Sequence, residues 1–155
     1  MKTWNDVLDR SRWGSGEWDG EPDKAHWVYK GLDCLIVRND MGNLCGYVGV
    51  PEGHPDFGKD TAKVWVHGGI TFASKCSPSG EAEESRHVCH PQEGAANEVV
   101  WWLGFDCAHL GDKIPASKMF EFDGCIFNDS DNYKTFSFVQ KEVQKLADQL
   151  IEDKP

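Results

Sequence analysis

Two β-rich runs joined by a turn constrain the fold of this chain more than any other feature. Residues Leu32–Val37 and Leu44–Val50 are both rich in residues that favour β-strands, and the segment RNDMGN lies between them. Asn, Asp and Gly supply the backbone conformations that tight turns require. The pattern therefore predicts an antiparallel β-hairpin with a glycine-containing loop, and a mainly antiparallel sheet built around it.

Three more segments are expected to extend this sheet to about five strands. They are KVWVHGGITFA at 63–73, Glu98–Phe105 and Met119–Phe127. The double glycine inside the first of them predicts a bulge or the close approach of another group. Ser74–Asn97 is a long polar loop, and a connection of this length inside a compact domain is usually functional.

One helix is predicted at each end of the chain. Thr3–Trp13 has Trp4, Val7 and Leu8 at helical spacing, with Thr3 as a possible cap. The C-terminal segment places one apolar stripe on one face, formed by Phe136, Val139, Val143, Leu146 and Leu150. We expect an α+β fold in one domain (1–155), with a short N-terminal helix and a C-terminal amphipathic helix packed on the sheet.

Charge and composition narrow the expected partners. The formal net charge of −10 over 155 residues argues against direct binding of a nucleic-acid backbone, which needs clustered Lys and Arg. A small anionic ligand or nucleotide remains compatible, because local donors decide such binding. No run of about 18 apolar residues and no signal peptide is visible, so we expect a cytoplasmic protein without a membrane span. The six cysteines are then expected as thiols or metal ligands.

The segment WWLGFDCAHLGD (101–112) changes from apolar to polar along its length. An ordinary core strand needs none of the polar residues Asp106, His109 and Asp112, whereas a site at the end of a strand needs several. His67, which precedes two glycines, lies where backbone can approach a ligand closely. A second group, HVCH at 87–90, follows Cys76 in the polar loop.

Imidazole and thiolate side chains together favour zinc. A structural site takes four ligands, and one such set is Cys76, Cys89, His90 and His109. A catalytic site takes three ligands and leaves one position for water. That set is His67, His109 and Asp112, with Asp106 as general base or as the group that orients an imidazole.

Other interpretations of the same residues stay open. The histidines and aspartates can simply join the loops by hydrogen bonds. Cys107 and His109 can form a loose nucleophile pair, and Trp65, Trp101 and Trp102 can stack on a base or fill the core. A complete phosphate loop of the GxxxxGK[ST] type and a GxSxG elbow are both missing from the sequence.

The strings VHGGITF, VCH and WWLGFDCAHLGD, within residues 47–115, resemble a group of small bacteriophage and prophage proteins. The resemblance implies no particular reaction. It implies a phage accessory protein that acts in a host bacterial cytoplasm. It also implies a key site around His67, His90, Asp106, His109 and Asp112.

Two functions are therefore predicted. The first is a zinc-binding, hydrolytic domain acting on a phosphoester or nucleotide, with Asp106 and His67 in catalytic roles. The alternative is a non-enzymatic anti-defence protein that binds a host defence protein or sequesters a small ligand.

Overall fold

The computed structural model describes residues 1–5, 8–60, 62–75, 96–97, 99–108, 112–116 and 132–152. Within these ranges the chain forms six strands and one helix. The strands are β1 (Lys2–Trp4), β2 (Lys24–Tyr29), β3 (Leu32–Arg38), β4 (Leu44–Pro51), β5 (Phe72–Lys75) and β6 (Val100–Asp106), and the helix is α1 (Phe136–Glu152). Among the described residues, no helix combines the length and the apolar character needed to cross a bilayer.

The strands form one sheet in the order β1-β2-β3-β4-β6-β5, and every neighbouring pair is antiparallel. The predicted hairpin is confirmed as β3 and β4, with Cys34 opposite Val48 in the register. The strand predicted at Glu98–Phe105 is confirmed as β6, shifted by one or two residues at its ends. The mainly antiparallel sheet and the α+β character of the fold are thus confirmed, with six strands in the described residues rather than about five.

The C-terminal helix is also confirmed, and it packs on one face of the sheet. Its buried side chains include Val139, Val143, Leu146 and Leu150, which join the core formed by β2, β3, β4 and β6. Gly46 in β4 lies directly beneath the helix. A Cβ atom at this position would lie 2.6 Å from the Val143 side chain, so a glycine is needed for the helix to approach the sheet this closely.

A cluster of buried and partly buried polar side chains links residues 10–23 to β3 and to the start of α1. This buried ion cluster consists of Arg10, Glu21, Asp23, Arg38 and Tyr133. The fully buried Arg38 donates from Nε to Asp23 Oδ1 at 3.0 Å and from Nη1 to Tyr133 Oη at 2.9 Å. Arg10 contacts the same carboxylate, and Glu21 Oε2 accepts a hydrogen bond from the Phe136 amide at 2.7 Å. Two cations therefore balance two carboxylates, and one carboxylate also caps the helix.

Two sequence predictions are wrong. The predicted helix at Thr3–Trp13 is instead a strand at Lys2–Trp4, and residues 8–13 are irregular apart from one turn at 10–13. The strand predicted over 63–73 begins only at Phe72, and His67 lies in a turn before it. In both places tertiary contacts override the local pattern. The strand predicted at Met119–Phe127 lies outside the described residues, as does most of the polar loop 74–97.

Strand β2 was not predicted from the sequence. It contains Lys24 and His26, which are polar residues but are buried in the structure. His26 and Asp33 form a buried pair across β2 and β3, with His26 Nε2 and Asp33 Oδ1 3.0 Å apart. The Asp33 carboxylate also accepts hydrogen bonds from the amides of Ala96 (2.9 Å) and Asn97 (3.2 Å). This carboxylate therefore fixes the chain segment that precedes β6.

We expect Asp33→Asn to lower the free energy of unfolding at pH 7 by about 1–3 kcal/mol, because buried donors lose a charged acceptor. Burial by itself raises the pKa of Asp33, but the hydrogen bonds from His26, Ala96 and Asn97 outweigh it and hold that pKa below the ordinary value. A lowered pKa contributes stability above the ordinary pKa, and that stability is lost as the pH falls through the lowered value.

Urea denaturation between pH 2 and pH 7 measures both effects. As the pH falls from 7 to 2, the free energy of unfolding of the variant should decrease less than that of the parent protein. Asp60→Asn, at an exposed carboxylate, is the control and should behave like the parent. A parallel pH dependence in the parent and in Asp33→Asn would contradict the prediction.

Candidate functional site

His67 occupies the corner of a turn in the connection between β4 and β5. The Gly69 amide donates to the Val66 carbonyl at 3.0 Å, and both Gly68 and Gly69 have positive φ angles, 70° and 80°. Positive φ after the first corner residue is the requirement of a type II turn, which glycine meets without strain. The double glycine therefore forms the turn that presents His67, rather than a bulge in a strand.

The His67 imidazole contacts the carboxylate of Asp112. His67 Nε2 and Asp112 Oδ2 are 2.7 Å apart. The aspartate side chain is only 2% exposed, whereas the histidine side chain is 23% exposed. A buried carboxylate thus holds one nitrogen of a ring that remains partly accessible to solvent, an arrangement that fixes the orientation of an imidazole.

Helix α1 supplies the other groups around this pair. Glu142 Oε1 accepts a hydrogen bond from the His67 amide at 3.1 Å, and the Phe138 ring meets the imidazole edge to face at 5.4 Å. Lys134, two residues before the helix begins, places Nζ 3.4 Å from the other oxygen of Asp112. We call these five residues (His67, Asp112, Lys134, Phe138 and Glu142) the His67 site.

Asp112 is itself fixed by backbone contacts. It forms an isolated parallel bridge with Asn132, and the next amide, of Lys113, donates to the Asn132 carbonyl at 2.8 Å. The Asn43 side chain donates to the carbonyls of Cys107 (2.7 Å) and Lys113 (3.1 Å). The turn of the central hairpin therefore connects the end of β6 to the segment that carries Asp112.

Asp106 points away from helix α1. It lies opposite Cys45 in the register of β4 and β6, whereas Phe105 and Cys107 belong to the face that packs with α1. Its carboxylate accepts a hydrogen bond from the Ala108 amide at 3.1 Å, which stabilises the turn after the strand. Of the predicted catalytic residues, the structure thus places His67 beside α1 and Asp106 on the opposite sheet face.

The remaining predicted metal ligands lie outside the described residues. These are Cys76, Cys89, His90 and His109. Within the described part of the chain, no group of three or more His, Cys, Asp or Glu side chains is arranged to hold a metal ion. The zinc site predicted from the sequence stays a prediction.

The described cysteines are buried thiols. Cys34, Cys45 and Cys107 are all unpaired and buried. Burial raises the pKa of the Cys107 thiol far above its usual range, and the nearby Asp112 carboxylate raises it further. A thiolate is therefore strongly disfavoured at Cys107, which argues against the nucleophile pair with His109.

His54 has a structural role. Its Nε2 contacts the carbonyl of Leu150 in α1 at 2.7 Å, and its Nδ1 accepts from the Asp56 amide at 3.0 Å. Both ring nitrogens are used, and the imidazole joins the β4–β5 connection to the end of the helix. His54 is consequently a useful control for His67.

Lys134, Phe138 and Glu142 were not predicted as site residues from the sequence. One periodic signal was present: Phe138, Glu142, Lys145 and Gln149 follow one another at steps of four, three and four residues. This row lies beside the apolar stripe and faces the β4–β5 connection, where Glu142 and Gln149 bind backbone groups.

Comparison with known proteins found no matching family model, no matching curated protein and no matching solved structure. The interpretation of the His67 site therefore depends on its own geometry.

Proposed function

We propose that this chain is a hydrolytic domain acting on phosphoesters, with His67 as the general acid–base and Asp112 as the residue that positions it. The observation that carries the proposal is the 2.7 Å contact between His67 Nε2 and the buried Asp112 carboxylate. Enzymes use a carboxylate behind an imidazole to select one tautomer and to stabilise the imidazolium that forms during proton transfer.

The tautomer follows from this contact. When Nε2 donates its proton to Asp112, Nδ1 is the basic nitrogen of the ring. In the proposed reaction, His67 takes a proton from a water molecule as the water oxygen bonds to phosphorus. The bond from phosphorus to the leaving oxygen breaks, and the proton passes from the imidazolium to that oxygen.

Lys134 supports a positioning role for Asp112 rather than the ligand role predicted from the sequence. Its ammonium group lies 3.4 Å from Asp112 Oδ1 and 5.6 Å from the centre of the Phe138 ring. A metal ion bound directly by Asp112 would lie close to this second cation, which is unfavourable. In the proposed reaction the same ammonium stabilises the negative charge of the phosphoester.

Zinc is a second candidate, and the same contact favours it. Histidine ligands of zinc usually donate their other ring N–H to a carboxylate, as His67 does to Asp112. In this arrangement His67 binds the ion, Asp112 orients His67, and further ligands come from outside the described residues, with His109 the leading candidate. Zinc would supply an acidified water molecule.

Assays of the purified full chain distinguish the metal-independent mechanism from the zinc-dependent one. We expect turnover of p-nitrophenyl phosphate or bis(p-nitrophenyl) phosphate that persists in EDTA. Activity that EDTA removes and zinc restores, with one equivalent of zinc in elemental analysis, supports the zinc version instead. No turnover of either compound with or without zinc would overturn the hydrolytic proposal and favour a protein that only binds its ligand.

A further inference from the structure

We infer that Trp65 is a stacking surface for a nucleobase, so that the phosphoester bound at the His67 site belongs to a nucleotide. This inference rests on the proposed function, because it names the substrate class of the same site. It comes from the exposure of one tryptophan, the way its backbone is held and its place in the chain next to His67.

Three tryptophans were candidates for stacking, and the structure separates them. Trp102 is fully buried in the sheet. Trp101 donates from its indole Nε1 to the Lys59 carbonyl at 2.8 Å and packs near Phe57, with 6.2 Å between the ring centres. Trp65, by contrast, is 83% exposed. Trp101 and Trp102 therefore have structural roles, and Trp65 presents its ring to solvent.

The exposed indole is attached to a firmly held backbone. Gln149 Oε1 accepts from the Trp65 amide at 2.7 Å, and Gln149 Nε2 donates to the Trp65 carbonyl at 2.9 Å. One side-chain amide thus satisfies both backbone groups of this residue. A ring carried on a fixed backbone loses less conformational entropy when a ligand stacks on it, and this favours binding.

The alternation of core-packed and exposed residues from 64 to 67 places Trp65 and His67 on the same side of the connection. The intervening Val66, like Val64, packs against the core, whereas Trp65 is exposed and His67 is partly exposed. Two residues along an extended segment separate the backbones by about 6–7 Å. A planar base on Trp65 can therefore belong to the same small molecule as a phosphate at His67.

Equilibrium binding of AMP and of ribose 5-phosphate, which has a hydroxyl group in place of the base, tests the inference. We expect Trp65→Ala to weaken AMP binding about tenfold, within the range that loss of one base-stacking aromatic produces. Trp65→Phe should restore most of the affinity, and ribose 5-phosphate should bind Trp65→Ala and the parent protein equally. Val28→Ala, which shortens another exposed apolar side chain, should change neither affinity.

The two proposals fail in different ways. Equal AMP affinity in Trp65→Ala and the parent protein overturns the stacking inference, whether or not the protein hydrolyses phosphoesters. AMP binding that depends on Trp65, in a protein without turnover, overturns the hydrolytic proposal and leaves the stacking surface intact. Urea denaturation of Trp65→Ala confirms that the variant is folded.

Discussion

Replacing Arg38 with alanine is expected to destabilise the protein by about 3–5 kcal/mol, the usual cost of breaking a buried ion pair from one side. Arg38 is fully buried and donates to Asp23, to Tyr133 and to the Gly42 carbonyl. Its removal leaves the buried Asp23 carboxylate with only the Arg10 guanidinium as a cationic partner in the buried ion cluster. Urea denaturation at pH 7 measures the loss.

Arg12→Ala is the matched control, because Arg12 is exposed and surface substitutions usually change stability by about 0.5 kcal/mol or less. Arg38→Lys keeps the charge but loses the planar fork that reaches several acceptors at once, so we expect an intermediate loss. Equal stability of Arg38→Ala and Arg12→Ala would show that the buried ion cluster does not stabilise the fold.

His67→Gln is expected to reduce kcat/KM for the phosphoester by about 10²–10⁴-fold, the usual contribution of a positioned general acid–base. Glutamine retains an N–H donor for Asp112 but has no basic nitrogen. The fold should survive, since His67 lies in a surface turn whose amide still reaches Glu142. Steady-state kinetics give the activity, and urea denaturation shows whether the variant is folded.

His54→Gln provides the comparison, because His54 lies in the same connection and serves a structural role there. This variant should lose some stability and keep the activity of the folded protein. If His67→Gln retains more than about a tenth of the parent activity, His67 is not the general base of the reaction.

Local patterns predicted the centre of the fold well. The β3–β4 hairpin combines two hydrophobic runs with a short turn, and α1 carries an uninterrupted apolar stripe. In both elements the secondary structure that the local sequence favours is also the one that tertiary packing stabilises, so the prediction was correct. Strand β6 was predicted for the same reason.

The region around His67 shows that the alternation of apolar and polar residues does not by itself predict a β-strand. Val64 and Val66 do face the core, as in a strand, but the backbone partner of Trp65 is the side chain of Gln149, 84 residues away. No local pattern reveals that a side-chain amide replaces a neighbouring strand. The two positive φ angles after His67 then end the extended segment.

The N-terminal prediction failed for a related reason. Trp4 and Leu8 have helical spacing, yet Trp4 pairs with Lys24 across β1 and β2, and the Leu8 amide donates to Asp23 Oδ2 at 3.0 Å. A buried carboxylate from elsewhere in the chain thus determines the backbone here.

Part of the candidate site was predictable. His67 was predicted as a site residue because two glycines follow it, and Asp112 because it follows a hydrophobic strand. The structure places the two side chains in contact. Their chemical roles stay a prediction. Lys134 and Glu142 were missed because their relation to His67 depends on where α1 docks, which no short motif specifies.

The wide sequence separation within the His67 site has a consequence for synthesis. His67 meets Asp112 across 45 residues and Glu142 across 75 residues. A ribosome delivers the chain from its amino end, so the hairpin of β3 and β4 can pair while α1 has not yet been made. The imidazole meets Glu142 only after α1 has been made, so the His67 site is completed later in synthesis than the β3–β4 hairpin.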